Sequence, residues 1–295
     1  MSSFARGRPE PRVYGVPKKS LRAPALAVNA VGHQHTRPGS CIETTVVETL
    51  TGVQRDALRA RGYVVLPGLV PRERHEAALR AINASLGRGL PPEDVPRMRA
   101  QSFCPELQNA GVILDLFRET PASAVASSLV GKEGLERVTT AQIALSFPSD
   151  SNAGARPHPH LDGMYTPDNG VPAGSVLSFT MLAGIVLSDA EQPDAGNLVV
   201  WPGSHRVLER YFRAQGPKSL LSGMPDVDLG SPEPVRARPG DVVLCHYQLA
   251  HAAGPNTSAH VRYAVYFRLK RKGHDRSKWE SLTDVWREWP GISAP

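Results

Sequence analysis

Residues 156–164 read RPHPHLDGM, and residues 251–262 read HAAGPNTSAHVR. In an extended strand the side chains at i and i+2 point to the same face, so His160 and Asp162 can hold one ion between them. Two ligands leave a catalytic metal incomplete, and His251 is the candidate third. Neutral imidazole with carboxylate suits Fe(II), and three protein ligands on one face of an octahedron leave positions open for chemistry.

A histidine and an aspartate two apart are common on solvated turns. Arg262, eleven positions after His251, makes this pair informative. Gly254-Pro255-Asn256 between them is a turn that can fold the chain back as a hairpin and bring Arg262 near the metal. A guanidinium is planar and permanently charged, and it can hold the far carboxylate of 2-oxoglutarate through two parallel hydrogen bonds. The bland alternative is an exposed strand arginine. Against it, Val261, Tyr263, Val265, Phe267 and Leu269 alternate with Arg262, Ala264, Tyr266 and Arg268, the pattern of a strand with a distinct polar side.

From these residues outward the chain resembles the phytanoyl-CoA dioxygenase family of Fe(II)/2-oxoglutarate oxygenases, over roughly residues 48–270. LTGVQRDALRARGYVVLPGLV at 50–70 is similar to the family's entry helix and first strand. Gln142-Ile143-Ala144-Leu145 precedes the H-x-D, and Ala195-Gly196-Asn197-Leu198 leads to Trp201-Pro202-Gly203-Ser204-His205. Pro239-Gly240-Asp241-Val242-Val243 introduces the distal histidine. The resemblance implies a double-stranded β-helix, a jelly-roll, cupin-like core that is mainly β with flanking helices. It implies His160, Asp162 and His251 as iron ligands and catalytic centre, with Arg262 anchoring 2-oxoglutarate and Gln142 either bonding the cosubstrate or serving structure. The reaction it implies is hydroxylation of an unactivated carbon with O2 as cosubstrate and release of succinate and CO2. Related halogenases carry a small residue where this chain has Asp162, so the carboxylate argues for oxygenation.

Length and composition agree. At 295 residues and 41% hydrophobic content the chain can bury one full core. Cys41, Cys104 and Cys245 are scattered and odd in number, which suggests neither a disulfide framework nor a zinc motif and fits a cytoplasmic protein. No apolar run is long enough to cross a membrane, and the N-terminus lacks a secretory apolar core. Residues 1–40 carry seven basic side chains against Glu10 alone, a net +6 that equals the formal charge of the whole chain. Residues 1–45 thus read as a mobile basic arm rich in Pro and Arg, and 46–295 as one oxygenase domain. A nucleic-acid contact or organellar targeting is the arm's functional alternative. The neutral remainder argues against a nucleic-acid demethylating oxygenase.

Helices are expected at 51–61, ended by Gly62, and at 72–86, with Ala77, Ala78, Ala81, Ile82 and Leu86 toward the core. Residues 88–105 read as a loop over the active-site mouth, and 109–117 and 122–129 as short helices. Strands are expected at 63–66, 137–147, 175–187, 197–201, 242–247 and 262–269. A C-terminal helix would align Trp279, Leu282, Val285, Trp286 and Trp289 for packing on the barrel or for a homodimer contact.

Other polar residues compete for roles. His158 shares the parity of His160 and Asp162, as a substrate donor or as a strand-edge histidine. His246 rivals His251 as the distal ligand, but Asn256, Ser258 and Arg262 follow His251 at the family's spacing. His205 is expected near the mouth; Arg156, Arg206 and Arg210 there could bind an anionic group, which favours a small carboxylated substrate such as an amino-acid derivative or natural-product intermediate. The alternatives are a fatty acyl-CoA hydroxylase of the same family and a cupin-like metal-binding protein without oxygenase activity.

Overall fold

Thr51 starts the first helix by accepting from Gln54 N while the Gln54 side chain accepts from Thr51 N, a reciprocal cap. This computed structural model describes residues 48–149, 154 and 156–292; the expected basic arm and Cys41 lie outside the described residues. Helix α1 spans Gly52–Arg61 and stops at Gly62, whose φ of 82° is the left-handed cap glycine tolerates. His205 packs so closely there that a Cβ on Gly62 would lie 2.6 Å from its Nδ1. Strand β1 (Tyr63–Leu66) and helix α2 (Arg72–Leu86) follow at their expected bounds. On α2, Ala78 and Ile82 are fully buried with Ser85 beside them, while Ala77, Ala81 and Leu86 are half-buried.

Helices α3 (Val95–Ala100), α4 (Gly111–Arg118) and α5 (Pro121–Val130) separate β1 from the remaining strands. The segment read as a loop at 88–105 therefore carries helix, which Pro92 and Pro96 start rather than break. The strands are β2 (Gln142–Ser146), β3 (Met181–Val186), β4 (Leu198–Val200), β5 (Glu233–Pro234), β6 (Val242–His246), β7 (His251–Ala253) and β8 (Arg262–Leu269). The expected strands at 137–147 and 175–187 are shorter because continuous ladder pairing covers only 142–146 and 181–186, with Val176 held by an isolated bridge to Met164.

Pairing is antiparallel throughout: one sheet runs β1-β6-β3-β8-β2 and the other β5-β4-β7. One face of the large sheet, with Ile143, Met181, Leu244, Val265 and Phe267, packs on Ile82, Ile113, Phe117 and Leu129 of the helices. Its other face, with Leu182, Val243 and Cys245, packs on Val199, Val200 and Ala252 of the small sheet. Two facing antiparallel sheets with flanking helices make the expected jelly roll. Central β3 and β6 are buried on both faces, whereas edge strand β2 alternates.

Helix α6 (Ser204–Gln215) was not expected. Its buried stripe is Ser204, His205, Leu208, Glu209 and Phe212, and three polar members of the five hide its period. The C-terminal helix is a correction: α7 spans His274–Thr283 and ends at Asp284, which is extended at φ −144° and ψ 91°. Trp286 and Trp289 lie beyond it in a turned segment that packs on His246. Among the described residues no helix is long and apolar enough to cross a membrane.

Candidate metal centre

The candidate third ligand is placed by backbone pairing. His160 N donates to His251 O at 3.0 Å and His251 N to His160 O at 3.1 Å, a reciprocal antiparallel pair that sets the two side chains on one face. Their ring centroids are 4.6 Å apart. Asp162, two positions on, brings Oδ1 to 3.6 Å from His160 Nε2 and 3.5 Å from His251 Nε2. The three ligand atoms all lie within 4.8 Å of one another. Ligands bound at roughly 2.1 Å and at right angles sit about 3 Å apart, so the two Asp162 edges of this triangle are already near that spacing.

Local devices aim these groups. His251 Nδ1 donates to Leu249 O at 2.9 Å, which leaves the Nε2 lone pair facing the triangle. After Asp162 the chain turns at Gly163 with φ 77°, and a Cβ there would lie 2.1 Å from Leu177 O. Only glycine fits that approach, so the metal loop is held against 176–177 by Gly163 itself. His160 is half-exposed and His251 buried, so the triangle opens to solvent on one side.

Asp162 has a further partner that the sequence leaves unassigned. Arg268, at the far end of β8, places Nη2 2.9 Å and Nε 3.0 Å from Asp162 Oδ2, and Nη2 also donates to Gln142 Oε1 at 2.7 Å. Burial works to raise the Asp162 pKa, and the Arg268 charge with the two histidines overcomes it, holding the carboxylate well below its usual range. His251 is raised: burial opposes its charged form, and Asp162 outweighs that. The signal for Arg268 was its strand parity with Arg262.

Arg262 lies at the other end of the same strand face, buried. Its Nε donates to Gly196 O at 2.6 Å and its Nη1 to Ala144 O at 3.0 Å. These bonds fix the guanidinium plane and leave Nη2 for another partner, and Arg262 lines a cavity together with Gly184, Val186, Asn197, Val243 and Tyr266. Gly196, at φ 74°, permits this: a Cβ would lie 2.8 Å from Ser146 Cβ and 3.0 Å from Arg262 Cβ. Buried Asn197 fixes the same turn by donating to Ala190 O and Val235 O. Asn256 does so for the hairpin, donating to Ser146 O and His260 O.

The remaining candidates divide. Gln142 meets Arg268 in the metal corner. Arg156 and His158 are exposed on the approach to His160. Arg206 donates to Arg59 O at 3.2 Å and lies 5.8 Å over the Trp286 ring, and Arg210 is exposed on α6; among the described residues no contact joins either to the triad. His205 is fully buried, which corrects its expected place near the mouth: Nε2 meets Arg59 O, and burial, then His246, push its pKa down to about 3. His246 is no rival ligand: it stacks on Trp289, Nε2 donates to Val285 O at 2.7 Å and Nδ1 accepts from Gln248 N at 3.0 Å, so both nitrogens are occupied. Burial lowers its pKa to about 4.

The sequence model described as phytanoyl-CoA dioxygenase matches residues 58–264. The fold is similar to the non-heme alpha ketoglutarate dependent carbocyclase SnoK from nogalamycin biosynthesis, 23% identical, covering 76% of this chain and 85% of that one, with TM-score 0.50. It is similar also to HygX from Streptomyces hygroscopicus with nickel and 2-oxoglutarate bound, 20% identical, covering 76% and 88%, with TM-score 0.50. At these identities the likeness concerns the fold. No curated protein matches the chain.

Proposed function

The chain belongs to the phytanoyl-CoA dioxygenase family, and from that premise we propose that it is a 2-oxoglutarate-dependent non-heme iron oxygenase that hydroxylates a small molecule. The observation that carries the reading is the triangle of His160 Nε2, Asp162 Oδ1 and His251 Nε2, with Arg262 fixed on the same barrel interior. The donor set fits Fe(II): two imidazoles whose Nε2 atoms converge and one carboxylate oxygen, with one side open.

His160, Asp162 and His251 would hold the ion, and Arg262 the far carboxylate of 2-oxoglutarate. When bound, the iron and 2-oxoglutarate supply the oxidising power that activates O2, with succinate and CO2 as products. The chain supplies position. Arg262 keeps Nη2 and one Nη1 hydrogen for a carboxylate after its two backbone bonds. The apolar walls of Val186, Val243 and Ala264 exclude water and strengthen that contact. Asp162, ionised through the physiological range, needs no proton removed before it binds a cation. At the mouth, Arg156 and His158 are the exposed groups that would meet a carboxylated substrate, which favours an amino-acid derivative or natural-product intermediate over an acyl-CoA.

The test is anaerobic titration of Fe(II)-loaded protein with 2-oxoglutarate, followed by the weak visible charge-transfer band of a chelated keto acid. Wild type should develop the band, and Arg262→Ala should need roughly 10- to 100-fold more 2-oxoglutarate, the loss of one charge-assisted anchor. No band at any concentration would sink the oxygenase reading.

A further inference from the structure

Strand β8 presents Arg262, Ala264, Tyr266 and Arg268 to the barrel interior, and the proposed function uses only the first arginine. Arg268 is engaged on one side by Asp162 Oδ2, through Nε at 3.0 Å and Nη2 at 2.9 Å, and on the other by Gln142 Oε1 at 2.7 Å. Gln142 belongs to β2, which pairs with β8 in register Gln142↔Tyr266, so the arginine spans two neighbouring strands before it reaches the carboxylate.

The geometry points to Arg268 as the positioning residue of the metal carboxylate. We propose that its two-donor fork, braced by Gln142, takes up Oδ2 and so presents Oδ1 alone to the ion between His160 and His251. Nε and Nη2 converge on that one oxygen, so the planar guanidinium, itself braced by Gln142, fixes where Oδ2 sits and the side from which it is held, which a single ammonium contact does less well. Without the fork, Asp162 Oδ2 loses the donors that hold it. The carboxylate could then chelate with both oxygens or turn toward solvent. Arg268 also repels a cation, but that repulsion acts across a mouth where its side chain is 37% exposed and is screened. Orientation is therefore expected to dominate.

This inference rests on the metal assignment of the triad. The test uses Co(II) alone as probe, without turnover. Purified full-length wild type, Arg268→Ala, Arg268→Lys and His160→Ala are titrated with Co(II), recording affinity and the visible ligand-field band, with melting of the metal-free proteins as a fold control. Arg268→Ala should bind Co(II) roughly 10- to 100-fold more weakly, as for other groups that orient metal ligands, and show an altered band at saturation. Arg268→Lys keeps the charge without the fork, so its affinity loss should be smaller and in the same direction. That variant decides between orientation and charge if Arg268→Ala does not fold. A band superimposable on wild type in the folded variant overturns the inference, as does unchanged or tighter binding, which would make Arg268 a mere competitor for the carboxylate. Failure of the metal reading looks different: His160→Ala would then bind Co(II) as wild type does.

Discussion

Among the described residues two histidine–carboxylate clusters stand out, one buried and one open to solvent on a side, and they are finished differently. In one, Glu288 receives His274 Nδ1 at 2.8 Å, Thr180 Oγ1 at 2.6 Å and Ser277 Oγ at 3.0 Å, while Ser178 Oγ meets the other nitrogen of His274 at 3.0 Å. Every polar atom there has a partner, and the cluster ties α7 and the C-terminal segment to the residues that lead into β3. In the other, Asp162 Oδ1 faces His160 Nε2 and His251 Nε2 at 3.5–3.6 Å, too far for hydrogen bonds and close to the spacing of ligands around one ion. The difference is satisfaction: the Glu288 carboxylate is saturated and braces the fold, whereas Asp162 has Oδ2 held by Arg268 and Oδ1 left facing two imidazoles, the arrangement expected of a cation site.

Reciprocal substitution should break that contrast most sharply. Asp162→Ala is expected to cut succinate formation more than about a hundredfold, since losing a ligand exceeds the loss from its supporting groups, while melting of the metal-free protein stays near wild type. Glu288→Ala should do the reverse, keeping Co(II) binding but costing about 3–5 kcal/mol of stability through the stranded His274, a fall in Tm on the order of 10 °C. Equal effects of the two variants on metal binding would dissolve the distinction.

Acid titration sharpens it further. Burial opposes the Glu288 charge, but His274, Thr180 and Ser277 prevail and draw its pKa down to about 2 from an ordinary 4.5. A depressed folded pKa stabilises the native state above the unfolded value, and that contribution disappears as pH falls through the folded one. Denaturant unfolding should therefore show about 3 kcal/mol lost between roughly pH 5 and pH 2, and Glu288→Gln should flatten the slope in that window. A parallel slope in the variant would show that other carboxylates govern it. The smallest effect concerns the anchor: Gly196→Ala, strained by about 1–2 kcal/mol at positive φ and pressing on Arg262 Cβ, should raise the 2-oxoglutarate requirement several-fold without loss of Co(II) binding.

The candidate metal corner was legible because the two-residue spacing brought His160 and Asp162 to one ion, although His160 holds only a lone bridge and Asp162 lies in the turn at Gly163 and not on a strand, and because the Gly254-Pro255-Asn256 turn made His251 the histidine that precedes a returning strand. Strand β8 was legible at both bounds, since one of its faces meets helices and the other a polar cavity. Strands β5 and β7, two and three residues long, are too short to show any alternation. Helix α6 was hidden by buried His205 and Glu209, whose polarity is met by Arg59 O, Arg213 and Val285 N. The pairing of Arg268 with Asp162 joins residues 106 positions apart, which no local pattern encodes. Sequence likewise cannot say that Arg206 spends its charge on a carbonyl and an indole.

The distal-ligand segment leans on chain that comes after it. His246 Nε2 donates to Val285 O and Gln248 Nε2 to Leu282 O, just before His251, and β8 sits between β3 and β2 in the large sheet. The His251 segment is thus built against elements that follow it in the chain, and a chain shortened before Leu282 would lose both of these bonds while keeping His160 and His251 themselves.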